Sequence, residues 1–128
     1  KNKNMNLNYK IKNEEVDEEI KKYVQEKIGG LVDQYLEKLD EKINIPIEVE
    51  IKKETHHRKG NVIYTEVNIK VPGKILRAST YALTVQAGID EIEDDLKRQI
   101  KKYKEKKESK LRKDWLKLKS FLQGEKRE

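Results

Sequence analysis

The chain has 128 residues, of which 34% are hydrophobic and 42% are charged, and its formal net charge is +6. This length predicts one domain, and so small an apolar fraction builds a core only if it is patterned. The absence of cysteine excludes disulfides, cysteine zinc sites and thiol nucleophiles, and it fits a reducing, cytoplasmic compartment. No apolar run approaches the roughly 20 residues of a membrane span, and we expect no membrane partner.

The N-terminal third of the chain changes its hydrophobic period. Apolar and polar residues alternate from Met5 to Ile11, which predicts a half-buried strand. Asp17 can then accept a backbone N–H as the N-cap of an amphipathic helix. The apolar residues of this predicted helix recur at intervals of three and four: Ile20, Val24, Ile28, Leu31, Tyr35 and Leu39.

Three more strands are predicted in the middle of the chain. Apolar and polar residues alternate from Ile45 to Ile51 and again from Ile63 to Val71. Pro72-Gly73 fits the centre of a type II turn, because proline fixes φ and glycine supplies a positive φ. A short strand, "KILRAS", follows the turn.

A second amphipathic helix completes the pattern, with Ser79 or Thr80 as its predicted N-cap. Its apolar residues are Val85, Ile89, Ile92, Leu96, Ile100 and Tyr103. The order β-α-β-β-β-α predicts an α+β fold, a two-layer sandwich built on a four-stranded mixed sheet. The first two strands should be parallel, the last three should form an antiparallel meander, and both helices should cover one face of the sheet.

The apolar stripe weakens after Tyr103, because Lys107 stands where an apolar residue is due. It resumes at Leu111, Trp115, Leu118 and Leu122, on one face of a helix that is otherwise basic. We therefore predict an α+β domain over residues 1–107 and a basic amphipathic C-terminal tail over 108–128, in the form of a helical extension. A lone helix of this length is marginal in water, so three sites compete for its stripe: the domain, a partner and an anionic membrane.

The charge of the chain is concentrated in residues 97–119, which we call the basic segment. It contains twelve Lys or Arg against three acids, a local charge of +9, whereas the whole chain carries +6. Lysines four residues apart on a helix repel one another, and few acids relieve them here. The segment therefore favours a polyanionic partner, with nucleic acid ahead of a merely solvated face or an anionic membrane surface.

Candidate catalytic groups are sparse. The only histidines, His56 and His57, are adjacent in a predicted turn beside Arg58 and Lys59, where neighbouring cations oppose a metal ion. The acids between Asp90 and Asp95 precede the cations along the second helix, as the helix dipole favours. No phosphate-binding glycine loop or nucleophile elbow is present. We predict no enzymatic activity, no catalytic residue, no metal, no cofactor and no small-molecule substrate.

Three segments, "YVQEKI", "VPGKILRAST" and "AGIDEIEDDLKRQIKKYKEK", resemble the ribosome hibernation-promoting factors, also called ribosome-associated inhibitors or ribosome subunit interface proteins. The resemblance covers about Met5 to Lys107, and "LKRQIKKYK" is its most specific part. Thr84 and Gln86 depart from the family's Asp and Tyr, and Gly30 stands where lysine is frequent. The residues after Lys107 are too few for the additional domain of long members, so the chain resembles a short form.

The resemblance implies a stress-response factor that binds the small ribosomal subunit, both rRNA and neighbouring ribosomal proteins, in the channel for mRNA and tRNA anticodon ends. Translation would then be blocked by steric occlusion. The RNA-facing residues carried over by position are Lys27, Arg77, Arg98, Lys101, Lys102 and Lys104. Arg58 and Lys59 are added by their charge, and Trp115 is the predicted contact of the tail. The alternatives are a general double-stranded RNA binder and a protein-interaction module that docks through the tail.

Overall fold

The computed structural model describes residues 6–36, 45–58 and 60–126. Strand β1 (Asn6–Lys12) leads to helix α1 (Glu18–Val24), which continues through two π-helical segments, π1 (Gln25–Gly29) and π2 (Val32–Leu36). Strands β2 (Pro46–His57), β3 (Gly60–Val71) and β4 (Lys74–Ala82) follow, and the chain ends in the long helix α2 (Val85–Lys126). The predicted order β-α-β-β-β-α is confirmed.

The four strands form one mixed sheet in the order β1-β2-β3-β4. β1 lies parallel to β2, with Leu7 opposite Ile47. The other neighbours are antiparallel, and Val67 of β3 lies opposite both Val49 of β2 and Ala78 of β4. These pairings bring the apolar residues of all four strands onto the same face of the sheet.

A single core lies between this face and the helices. Side chains such as Ile51 of β2, Ile28 of π1 and Leu96 of α2 are fully buried in the same cluster. All six apolar residues predicted for the first part of α2 are buried. The side chains that alternate with the core residues along the strands, such as Glu48 and Arg77, lie on the opposite, uncovered face. Both helices therefore cover one face, and the predicted two-layer α+β sandwich is confirmed.

The helical segment after β1 is wider than an α-helix. Its buried side chains include Val24, Ile28, Val32 and Leu36, which recur at intervals of four. The i→i+5 turns of π1 and π2 account for this spacing, because each turn contains more residues than an α-helical turn. Tyr35, predicted in the core, is only partly buried. The predicted core residues Met5 and Leu39 lie outside the described residues.

The two helix starts were predicted with different success. The backbone N–H of Ile20 donates to Asp17 Oδ1 at 2.9 Å, so the first N-cap is confirmed. The prediction of Ser79 or Thr80 for the second is wrong, because β4 continues past both residues. Thr84 caps α2 instead, its hydroxyl oxygen accepting from the N–H of Ala87 at 3.0 Å.

The β3–β4 turn has the conformation that its sequence predicts, since Gly73 has a φ of 80°. Near the middle of β3, α2 approaches the sheet closely. A Cβ on Gly88 would lie 3.2 Å from Thr65 Oγ1, so any larger residue there would require the Thr65 side chain to shift by a few tenths of an ångström. The sequence pattern did not single out Gly88.

The last third of α2 has no sheet to cover it. From Glu105 to Leu122 every side chain of the helix is exposed, including the apolar stripe. Trp115 is 59% exposed, so among the described residues nothing covers the predicted tail contact. The helix runs without a break across residues 107 and 108, and the predicted division between domain and tail stays a prediction. In the described ranges, no helix is both long enough and apolar enough to cross a membrane.

Candidate nucleic-acid interface

The charges along α2 fall into two zones. The acids Asp90, Glu91, Glu93, Asp94 and Asp95 lie within residues 85–96, which we call the acidic half, and the basic segment follows directly. This order matches the helix dipole, which favours acids near the N-terminus and cations near the C-terminus. The two zones also differ in what they contact.

The acidic half is held by the rest of the domain. The Tyr23 hydroxyl of α1 donates to Asp90, and the Thr80 hydroxyl of β4 donates to Glu91 Oε1 at 2.7 Å. Lys27 Nζ lies 3.8 Å from Glu93 Oε1. The hydrogen bond to Asp90, partial desolvation and the charges of Asp90 and Glu93 raise the pKa of Tyr23 to about 12. These acids therefore join α1 and β4 to α2.

The basic segment has few such partners. Its Lys and Arg side chains are exposed, except for the half-buried Lys104. In the described part of the chain, the one ion pair that involves these cations is Arg98 Nη2 to Asp95 Oδ1 at 3.9 Å. A local charge of +9 is therefore presented almost entirely to solvent, where only counterions balance it.

Three of the predicted RNA-binding residues share one side of α2. Arg98, Lys101 and Lys102 project within an arc of about 100°, on the side of the helix opposite its buried stripe. All three side chains are exposed. The structure therefore brings these three residues together on an outward-facing cationic surface.

Lys104 and Lys27 belong to different surroundings. Lys104 Nζ lies 5.6 Å from the ring centroid of Tyr35 in π2, a cation–π contact on the side of α2 that faces the first helical segment. Lys27 is placed 5.6 Å from the ring of Tyr23 and beside the acidic half. Lys27 is thus not part of the cationic surface formed by Arg98, Lys101 and Lys102.

Arg77 lies on the uncovered face of the sheet. Its Nε donates to Asn68 Oδ1 at 2.7 Å and lies 3.6 Å from Glu66 Oε2. A hydrogen bond from Tyr64, one from Asn68 and the charge of Arg77 lower the pKa of Glu66 against the opposing effect of its partial burial. Arg77 is therefore part of a polar network on the face opposite the helices.

Arg58 is exposed in the β2–β3 turn, and Lys59 lies outside the described residues. Successive turns of a meander lie at opposite ends, so β3 separates Arg58 from the Pro72-Gly73 turn by roughly 35 Å. Tyr103 contacts Pro72, which places the basic segment at the far end from Arg58. The predicted RNA-binding residues are thus spread over both ends and both faces of the domain.

The histidines are not in the turn itself, because β2 continues through His56 and His57. The His57 ring lies against the Tyr81 ring, with centroids 4.7 Å apart. Within the described ranges, no group of three or more His, Cys, Asp or Glu side chains is arranged to hold a metal ion.

The sequence did not predict a concave surface beside α2. A groove of about 570 Å³ lies between the β3–β4 turn and α2. Its lysines are Lys74, Lys102, Lys106, Lys107 and Lys110. Of these, Lys102 was named as an RNA contact, and Lys106, Lys107 and Lys110 belong to the basic segment, whereas Lys74 was not predicted. Lys74 directly follows the predicted turn, but the sequence gives no sign that this turn packs beside the basic segment.

Known proteins share this fold and sequence pattern. Residues 7–108 match the family described as Sigma 54 modulation protein / S30EA ribosomal protein. The chain is 33% identical over 94 residues to the ribosome hibernation promotion factor of Deinococcus radiodurans, covering 73% of this chain and 46% of that protein. It thus spans about half the length of that curated relative.

Two solved structures are similar. A ribosomal subunit interface protein from Coxiella burnetii has a TM-score of 0.60 at 17% identity, over 78% of this chain and 98% of that one. The Protein Y N-terminal domain of Thermus thermophilus has a TM-score of 0.48 at 20% identity, over 73% of this chain and 98% of that one. The first likeness supports the fold. Because the family match covers most of the sequence, this chain belongs to the Sigma 54 modulation protein / S30EA ribosomal protein family.

Proposed function

We propose that this chain binds the small ribosomal subunit in the channel used by mRNA and tRNA anticodon ends, and that it inhibits translation by occupying that channel. The family, and a relative named as a ribosome hibernation promotion factor, support a role in ribosome hibernation. The observation that carries the proposal is the basic segment of α2, whose cations are exposed and almost free of ion pairs within the described residues.

The proposed mechanism is electrostatic attachment followed by exclusion. Cations that neutralise rRNA phosphates release condensed counterions, which gives binding that is strong and depends on salt. Folded RNA is recognised largely by shape and backbone, so a rigid domain that fits the channel needs few base contacts. The core under residues 85–103 holds the part of α2 that carries Arg98, Lys101 and Lys102, and no chemical step is required.

The test removes the outward-facing cations. In the variant Arg98→Ala/Lys101→Ala/Lys102→Ala, we expect binding to purified small subunits to weaken at least about tenfold, with a log K against log salt slope smaller by about three. The matched control is Lys10→Ala/Lys12→Ala/Lys22→Ala, which removes three exposed lysines outside α2. Co-sedimentation at several salt concentrations measures both quantities. Equal losses in the two variants would refute a localised interface.

Occlusion is tested separately from binding. Small subunits loaded with mRNA and tRNA should bind the chain more weakly than empty subunits, because the ligands share one channel. In a translation assay, inhibition should weaken in the α2 variant in parallel with its affinity. Unchanged binding to loaded subunits would show that the chain acts elsewhere on the subunit.

A second function is favoured by the exposed apolar stripe of the tail. A protein-interaction module docking through Leu111, Trp115, Leu118 and Leu122 would bury apolar surface, and salt screens such contacts little. Binding to ribosomal subunits that persists at high salt would support this function over the electrostatic one. A general double-stranded RNA binder would instead bind isolated duplex RNA about as tightly as subunits.

A further inference from the structure

The groove beside the β3–β4 turn is lined by Tyr103, whose side chain contacts the turn. The Tyr103 hydroxyl donates to the carbonyl oxygen of Pro72 at 2.8 Å, which fixes the turn against α2. Tyr103 is itself buried, so the hydroxyl is held by a side chain with little freedom to move. The turn thereby holds Lys74 across from the lysines of α2, and the groove between them measures about 570 Å³.

The groove is cationic without a compensating acid. Its lining residues are five lysines together with Pro72, Gly73 and Tyr103, and no Asp or Glu is among them. Within the described residues, none of the five ammonium groups lies in an ion pair. Lys107 Nζ lies 5.9 Å from the ring centroid of Tyr103. Lysines that line one groove without an acid to form ion pairs favour an anion with several charges.

The cationic surface continues beyond the groove. A second concavity of about 420 Å³ lies along α2, shares Lys102, Lys106 and Lys110 with the first, and is also lined by Ser109 and by one acid, Glu105. Lys113 extends the same row. Neighbouring lysines of the row lie about 6 Å apart along the helix axis, and like charges at this spacing destabilise the helix. The shape and the charge together fit an extended anion and not a compact one.

We propose that this groove binds a single strand of RNA, with successive phosphodiesters on the row Lys102–Lys106–Lys110–Lys113 and on Lys74 across the groove. The groove volume of about 570 Å³ can hold part of one strand but not a duplex. One part of this proposal rests on the proposed function, namely that the RNA strand belongs to the ribosome.

The position of the row disfavours a membrane as the occupant. The centre of the lysine row and the centre of the apolar tail stripe lie about 150° apart around α2. An amphipathic helix on a membrane turns its apolar face into the lipid. A membrane that buried Trp115 would therefore leave the groove facing water.

The test uses the full chain and a fluorescently labelled oligouridylate, with binding followed by anisotropy over a range of salt concentrations. In Lys74→Gln/Lys110→Gln we expect about tenfold weaker binding and a salt slope smaller by about two. The control Lys10→Gln/Lys12→Gln changes the net charge equally and should weaken binding by less than about threefold. Equal losses in both variants would overturn the proposal.

Tyr103→Phe tests the geometry of the groove without changing its charge. As a positioning residue, Tyr103 should affect the affinity for the oligouridylate by a few-fold while the salt slope stays at the parent value. An unchanged affinity would show that the turn is not part of the site.

Further probes separate the possible occupants. Inorganic tripolyphosphate that binds as tightly as the oligouridylate would refute an extended strand. A groove variant that loses binding to phosphatidylserine vesicles but keeps its affinity for RNA would assign the lysines to a membrane.

The same variants distinguish this proposal from the proposed function. If the groove variant binds oligouridylate normally while Arg98→Ala/Lys101→Ala/Lys102→Ala loses the small subunit, the groove proposal falls and the proposed function stands. If the parent does not bind small subunits but the groove variant loses its affinity for the oligouridylate, the proposed function is refuted and the groove proposal is supported.

Discussion

Two regions of α2, Val85 to Tyr103 and Leu111 to Leu122, carry apolar stripes of similar spacing, but only the first stripe is buried. In the first region every apolar residue of the stripe is buried against the sheet. In the second, Leu111, Trp115, Leu118 and Leu122 are all exposed. The difference arises because the edge of the sheet formed by the β3–β4 turn, where β3 ends and β4 begins, lies beside Tyr103, so the helix continues past the surface that could cover it. An amphipathic stripe thus predicts which face of a helix can be buried. It does not identify the surface that buries this face.

The largest expected effect compares one leucine from each region. Leu96 is 0% exposed, and Leu96→Ala should lower the free energy of unfolding by about 2–5 kcal/mol, because it removes buried surface and leaves a cavity. Leu118 is 49% exposed, and Leu118→Ala should cost less than about 0.5 kcal/mol. Urea unfolding followed by circular dichroism measures both values. A cost above about 2 kcal/mol for Leu118→Ala would show that the tail stripe is covered in the free protein.

A smaller effect concerns the acidic half and its contact with α1. The pKa of Tyr23 is raised to about 12 in the folded protein, whereas unfolded tyrosine titrates near 10. Because the folded state favours neutral Tyr23, this contribution is complete below pH 10 and is lost as the pH rises towards 12. Compared with the parent, Tyr23→Phe should lose less stability over this interval.

The measurement is urea unfolding of both proteins at several pH values, with a tyrosinate absorbance titration to locate the missing group. Lysine deprotonation in the same range is common to parent and variant and cancels in the difference. Identical pH profiles would show that the hydrogen bond between Tyr23 and Asp90 does not contribute to folding.

The smallest expected signal, a spectral shift, comes from the tail. Trp115 is the one tryptophan of the chain and is largely exposed, so its emission in the free protein should be that of an indole in water. When small subunits are added, we expect a blue shift and weaker quenching by iodide, because amphipathic tryptophan favours a surface that is dry on one side. An unchanged spectrum, under conditions in which sedimentation shows binding, would leave the stripe uncovered and contradict the predicted tail contact.

The features predicted best from the sequence were those that depend on the local hydrophobic period. Alternation in β2 and β3 and the stripe of α2 identified the core residues, because a residue's face follows from its position in a regular element. The π-helical turns of π1 and π2 were missed, since the sequence pattern was interpreted with the α-helical period. The wrong N-cap has a similar cause: Thr80 is a good capping residue, but pairing with β3 extends the strand beyond it.

The candidate site was less predictable, because it depends on tertiary placement. Net charge identified the basic segment, but no sequence rule indicates that Arg58 and Lys102 lie at opposite ends of the domain. The groove was missed for the same reason. It forms only because Tyr103 reaches Pro72, a contact between residues 31 positions apart.

The sequence of charges along α2 gives the molecule a permanent dipole moment. α2 has 42 residues and is therefore about 63 Å long, with its acids near one end and its cations beyond them. A polyanion attracts the cationic end and repels the acidic one, so the approaching molecule experiences a torque as well as a force. It should reach an RNA surface with the C-terminal part of α2 leading, which favours productive encounters over random ones. This orienting effect extends only about one Debye length, roughly 8 Å at physiological ionic strength, and acts in the last moments before contact.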